Sequence, residues 1–559
     1  MSMRMHKTLR VGLLLDSYEL PLWEYALIDR LVTSSYATVK LVILNDDKKK
    51  TASLLRRAIG NWRHILFSLY TRVDAKLFDV QPNAFEPTDA TALLDGIQVL
   101  KVKPICSKFS DRFRVEDISE VERHDLDILL RFGFRILKGG ILRSARYGIW
   151  SYHHGDSRVN RGGPAGFWEV FERWPVTGSV LQILSEELDA GKVLCRSFSQ
   201  TDQRSVHRNR NNYYWKSVSF VPRMMRELCT LGAAEFFDNV DEHNKGLNLY
   251  SNRLFSAKHL TNRKMFALLT VHCSRYFRDK CVGAIYFDQW TLFFDIKKGV
   301  LPTSFWKFKA IVPPKDRFFA DPFVTQRDNT YYIYIEEFVF RTNKGHISVI
   351  EMDQKGRYKA PVPVVDEAHH LSYPFVFRHQ GDDFMVPESG AKKTVDLYQC
   401  IEFPFKWEFR MHLMEGIEAI DTTLFHYQDV WWLFANVVEN RGASDLDELF
   451  LFYSDELRST AWTPHPLNPI VSDVRTARPA GRIFVHGGKI IRPSQNSSRR
   501  YGFGMKMNEI RVLDKENYEE VEIQSIEPDW NTRLMATHTF NQAGNMTVID
   551  GNMRRRRVF

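Results

Sequence analysis

The sequence predicts an α/β domain with an open parallel sheet of Rossmann-like type, followed by an all-β five-bladed propeller. Three observations carry this. Strand and helix patterns alternate through the first 230 or so residues, the signature of a sheet joined by helical crossovers. Helix signals become sparse near Trp290. Beyond that point a strand–turn–strand unit recurs, starting at Asp321, Tyr373, Asp421, Arg478 and His538, with spacings of 48 to 60 residues. That period suits a four-stranded blade, and five copies suggest five blades.

The first segment reads in order. "RVGLLLD" is a strand and "LWEYALIDRLVTSS" has apolar residues at helical spacing. "VKLVILN" is the next strand, followed by the basic, helix-prone "KKKTASLLRRAIGNWRHILFSLYTRV". "LDILLRFGF" is a continuous apolar run of the kind covered on both faces. No GxGxxG follows the first strand, so a dinucleotide site is not expected. Helical pattern resumes in "RSVHRNRNNYYWKSVSFVPRMMRELCTLG". The expected boundaries are 1–235 for the α/β domain and 236–285 for a polar linker with a connecting helix. The propeller is expected over 286–552, and a solvated basic tail over 553–559.

A chain of 559 residues exceeds one core, so more than one domain is expected. The formal charge of +9 is modest for this length and does not argue for nucleic acid. Six scattered cysteines form no CxxC pair and show no zinc spacing, which suits a reducing, cytoplasmic setting. No metal site is expected. The apolar run Val11–Leu15 is too short for a leader or a membrane span, and no run elsewhere approaches the length needed to cross a bilayer.

"DILLRFGFRILKGG…IWSYHHGDSRVNRGGPAGFWEV…TGSVLQILSEELDAGKVL" resembles the formyltransferase family over roughly residues 90–200. The resemblance implies that His153 is the catalytic histidine and Asp189 the catalytic aspartate. Gly133 and Phe134 would lie on the loop facing the folate. Arg161, Gly162 and Pro164 would form the family's turn, and Thr177 with Gly178 its Thr-Gly strand. The implied cofactor is 10-formyltetrahydrofolate and the implied acceptor an amino group. An amino sugar or nucleotide sugar of surface-glycan synthesis is the expected carrier, in preference to a methionyl-tRNA. A histidine can stabilise the oxyanion of acyl transfer, and a desolvated carboxylate can take the amine's proton. Two positions depart from the pattern. Ser151 stands where the family has asparagine, and His154 where it has proline. Either Ser151 and His154 rebuild the oxyanion site with altered geometry, or the reaction has changed or been lost.

In the second half the hairpin starts would ring a channel with Asp321, Tyr373, Asp421, Arg478 and His538, joined by Glu388 of "VPES". That is a polar pocket suited to sugar hydroxyls. It resembles arabinanase- and fructosidase-like propellers, in which two aspartates and a glutamate act on glycosidic bonds. Asp321, Asp421 and Glu388 are then the candidates, with His538 able to hold water or an ion. Turn and cap roles for the two aspartates are an equal expectation, and scaffold roles are expected for Arg492 and Gln495. The run "FADPFV…EEF…PES…DTTLF…WWLFAN…ARPAGRIF…RPSQNSS" also resembles the N-terminal domain of glucosamine inositolphosphorylceramide transferases. In that family the transferase is a separate domain, not found in this sequence, so the resemblance implies glycan biology without fixing a reaction. Three functions follow as expectations: a formyltransferase with a glycan-binding propeller, a glycosidase or glycosyl-transferring propeller with a degenerate α/β domain, or a non-catalytic glycan binder.

Overall fold

Val11 and Leu13–Leu15 are fully buried in the strand Leu9–Leu15, an interior strand of a seven-stranded sheet. A computed structural model describes residues 8–47, 62–187, 191–246, 254–255, 257–297 and 305–557. On one side of Leu9–Leu15 lie Ala37–Asn45 and then Gln98–Val102, both parallel to their neighbours. On the other side lie Ile128–Arg131 and Ile149–His153, also parallel. Val176–Ile183 then runs antiparallel, and Lys192–Gln200 forms the edge. The carboxyl ends of three adjacent parallel strands therefore bring Leu15, Arg131 and His153 to one rim, where open α/β sheets bind ligands. Helix Leu22–Val32 covers the sheet with Trp23, Leu27, Ile28 and Leu31.

The chain divides into two units. The first takes Met1–Ser197, Thr201–Arg275 and Glu439–Ser444, and the second the remainder. The second unit contains five antiparallel sheets among the described residues. One comprises Arg317–Arg327, Thr330–Val339, Lys344–Asp353 and Val362–Val365. The next comprises Ser372–His379, Asp382–Glu388, Thr394–Glu402 and Lys406–Glu415. The third is built on Ala419–Tyr427, Val430–Val437 and Glu448–Ser454, and the fourth on Phe484–His486, Lys489–Asn496, Gly504–Leu513 and Tyr518–Ile526. The fifth pairs Tyr286–Ile296 with Met546–Arg556, from opposite ends of the segment, along their whole length.

Three stretches differ from the sequence reading. Residues 236–244, read as the start of a linker, belong to the helix Ala233–Asn244, because its polar residues line the outer face while Phe236 and Val240 are buried. The arginines of the expected tail are strand through Arg556, where Met553–Arg556 oppose Tyr286–Gln289. Arg478 and His538 lie just before their strands rather than in them. The connecting helix spans Asn262–Ile285.

Candidate functional site

At the rim of the first unit, Ser151 is buried and its Oγ accepts from Arg131 Nη1 at 2.8 Å. The hydroxyl expected to serve an oxyanion thus already receives a guanidinium. His153 is buried, with Nε2 2.8 Å from the Asn160 carbonyl oxygen. A carbonyl accepts only, so Nε2 carries the proton and donates it there. Asp189 lies outside the described residues. His154 stacks on Tyr214 at 3.7 Å and packs against Trp23, Tyr152 and Tyr213. Burial, then the adjacent His153, pushes its pKa well below the usual histidine range.

The other residues of the formyltransferase pattern serve the scaffold. Gly133 has no room for a side chain, since a Cβ there would sit 2.4 Å from the Asp16 nitrogen. Phe134, at φ 62°, turns its ring into the core against Phe113 rather than toward a ligand groove. Arg161 Nε donates to Ser157 O at 3.1 Å. Gly162 supplies φ 107°, a backbone open to glycine. Thr177 is fully buried, its Oγ1 2.9 Å from that of Thr201.

Glu24, on the helix that follows the first strand, belongs to the same rim. Burial and the Asp16 carboxylate push it up to about 8, against the pull of Arg131. A carboxyl raised in the fold gives stability that is full below its unfolded value and is lost as pH rises through the folded one. The unfolding free energy should therefore fall between pH 5 and pH 9, by on the order of 3 kcal/mol from this group. Glu24→Gln should flatten that slope in calorimetric melts; an unchanged slope would show that Glu24 is ionised throughout.

The second unit gathers a denser cluster. Asp321, Tyr373 and Asp421 take φ of 49°, 43° and 52°, each beside a register shift in its inner strand. Side chains with a Cβ seldom adopt such backbone, and it concentrates at functional sites. Tyr373 is buried, its hydroxyl 2.8 Å from Thr423 Oγ1 and accepting from Gly481 N at 2.8 Å, so it braces the core. The other two aspartates meet the polar residues of the neighbouring repeats. Arg478 Nε donates to Asp421 Oδ2 at 2.6 Å, and Gln495 Nε2 donates to the same oxygen at 2.9 Å. Arg478 also reaches Asp445 at 3.2 Å and lies over the ring of Tyr501. Asp321 Oδ1 accepts from Thr539 Oγ1 at 2.7 Å and lies 3.5 Å from His538 Nε2. His538 Nδ1 is 2.6 Å from Asp550 Oδ2, and its ring stacks on Trp290.

Too few cations serve these carboxyls for all to ionise, so protons are retained. Burial pushes Asp321 up to about 6; His538 opposes this, while Asp421 and Asp550 add to it. Burial and then Asp421 push Glu388 well above the usual carboxylate range. Glu336 is raised in the same way by burial, Asp321 and Glu388. On His538 burial acts downward, but Asp550 and Asp321 outweigh it and raise the imidazole. Glu388 Oε2 takes no hydrogen bond among the described residues and lies 3.8 Å from Arg478 Nη2. Its side chain keeps 17% exposure, and Asp445 keeps 50%, so the cluster opens to solvent at this end. Asp321, His538 and Asp550 stand close enough together to share a cation. Both imidazole nitrogens already face carboxylates, which suits an imidazolium bridge as well as a ligand.

Glu336, Asp445, Tyr501 and Asp550 escaped the sequence reading, because none sits at a hairpin start. Gln495, expected as scaffold, bonds Asp421. Arg492, with the same expectation, is buried on Glu520 at 2.6 Å.

Residues 309–540 match one family model. Its description is glucosamine inositolphosphorylceramide transferase 1, N-terminal. The rice (Oryza sativa subsp. japonica) protein named glucosamine inositolphosphorylceramide transferase 1 is 35% identical over 209 residues, which is 37% of this chain and 28% of that protein. The chain thus spans little more than a quarter of that relative's length. Among solved structures, glycinamide ribonucleotide transformylase 1 of Symbiobacterium toebii aligns over 40% of this chain and 88% of its own at 15% identity, with a TM-score of 0.27. A family 117 glycoside hydrolase of Zobellia galactanivorans aligns over 48% and 90% at 11% identity, with a TM-score of 0.32.

Proposed function

We propose that the five sheets are blades of one closed propeller, and that its carboxyl cluster binds a sugar and acts on a glycosidic bond. The observation that carries this is Glu388. Its carboxyl is raised well above the usual range by burial and Asp421, its Oε2 is buried without a hydrogen-bond partner among the described residues, and the side chain as a whole keeps 17% exposure beside Asp421 and Asp321. A carboxylic acid held neutral can protonate a departing glycosidic oxygen. Asp321, ionised above about pH 6, then takes the proton of the incoming hydroxyl, from water or from a second sugar. Arg478 and Gln495 hold Asp421 in place at the floor. The name of the relatives, glucosamine inositolphosphorylceramide transferase 1, supports a sugar ligand in a glycan or glycolipid setting.

A second reading places formyl transfer in the first unit, from 10-formyltetrahydrofolate to the amine of an amino sugar in the cytoplasm. The strand order and the position of His153 at a carboxyl strand end favour it. Arg131 on Ser151 weighs against it.

One experiment separates the readings. The protein is assayed on a panel of aryl glycosides and, separately, on amino-sugar nucleotides with 10-formyltetrahydrofolate. Glycoside turnover lost in Asp321→Asn supports the first reading. Formyl transfer that survives Asp321→Asn and is lost in Asp189→Asn supports the second. Sugar binding without turnover, seen as a thermal shift, would make the propeller a lectin-like module and overturn both.

A further inference from the structure

The helix Ile65–Leu77 reverses the usual pattern of a surface helix. Its inner side sets Leu66, Phe67 and Tyr70 against buried Phe167 and Phe171. Its aspartate, Asp74, is also buried, with Oδ2 accepting from the His207 amide at 2.7 Å. The outer side carries Ile65, Leu69, Val73 and Leu77, at 54%, 55%, 44% and 72% exposure. A spacing of four lays them in one stripe along the helix. Trp62, 57% exposed, stands at the head of the stripe. The helix Asn262–Ile285 starts beside it: Asn262 accepts from Leu66 N at 3.0 Å and donates to Trp62 O at 2.7 Å. Its first turns add exposed Phe266 and Val271.

The charge along this apolar surface is mostly positive, with exposed Asp79 beyond the end of the first helix and Asp279 further along the second. Arg63, Arg72, Lys76, Arg263 and Lys264 are exposed. Residues 62–77 and 262–275 contain one carboxylate, the buried Asp74. We propose that this face lies on a membrane surface bearing anionic lipid. The aliphatic stripe would sink into the acyl boundary, Trp62 would sit at the headgroup level, and the arginines and lysines would reach lipid phosphates. A stripe rimmed mostly by cations fits an anionic bilayer better than a protein partner, whose surface carries both signs. No described helix is long and apolar enough to cross a membrane. This inference does not depend on the sugar site.

The test is co-sedimentation of the full chain with vesicles of phosphatidylcholine alone, or with about one-third phosphatidylserine. The protein should pellet with the anionic vesicles, and roughly tenfold more weakly with neutral ones or in about 0.5 M salt. Leu69→Glu/Val73→Glu alters two exposed positions and should keep its Tm while binding at least about tenfold more weakly. Arg72→Glu/Lys76→Glu should remove the preference for phosphatidylserine. Absence of binding to anionic vesicles, or binding unchanged in Leu69→Glu/Val73→Glu, would overturn the proposal. So would concentration-dependent self-association that the same variant abolishes without any lipid binding, which would make the face an interface between copies.

Discussion

Glu388→Gln should lower kcat for glycosidic cleavage by about a hundred- to ten-thousandfold, the range removed with a general acid. The amide keeps the shape of the side chain but has no acidic proton to give. The loss should shrink for substrates whose leaving group departs as a stable anion, such as a dinitrophenolate, because that oxygen needs no proton. The wild-type pH profile should be bell-shaped. Its acid limb should fall near pH 6, where Asp321 titrates, and its alkaline limb should be set by the raised Glu388. In Glu388→Gln the alkaline limb should vanish while the acid limb stays. The melting temperature should hold or rise, since a buried carboxyl becomes a neutral amide. Equal loss on good and poor leaving groups would assign Glu388 to substrate binding instead.

Arg478→Met should cost about 3–5 kcal/mol of folding stability near neutral pH, the range for removing one partner of a buried ion pair. The guanidinium is 7% exposed, faces Asp421 at 2.6 Å and lies near Glu388. Its removal leaves a carboxyl cluster with His538 as a nearby cation. Protonation relieves that repulsion, so the deficit should be smaller at pH 5 than at pH 8 in chemical denaturation. A deficit independent of pH would mean that lost packing, rather than charge, sets the cost.

The sequence carried more of the architecture than of the chemistry. Strand Leu9–Leu15 and helix Leu22–Val32 were legible because apolar spacing follows burial. The hairpin starts Asp321, Tyr373 and Asp421 were legible because the repeat preserves a bulged, positive-φ position. Gln98–Val102 was not flagged: three of its five residues are exposed at the sheet edge, so it lacks a buried run. Ala233–Asn244 was hidden by a polar outer face. In the site itself, Glu336 and Asp550 lie in the second strands of their hairpins, where the sequence reading singled out only Glu388, and their approach to Asp321 is seen only in three dimensions. Ser151 showed the opposite limit. Its departure from asparagine was visible, but the Arg131 guanidinium that engages it comes from the neighbouring strand.

The pairing of Tyr286–Ile296 with Met546–Arg556 has a consequence for biogenesis. On a ribosome, the first of these strands emerges some 250 residues before its partner and must wait with one edge bare. Completion of that sheet thus waits until residues 546–556 have emerged, and a nascent chain halted before residue 546 exposes an adhesive edge to chaperones.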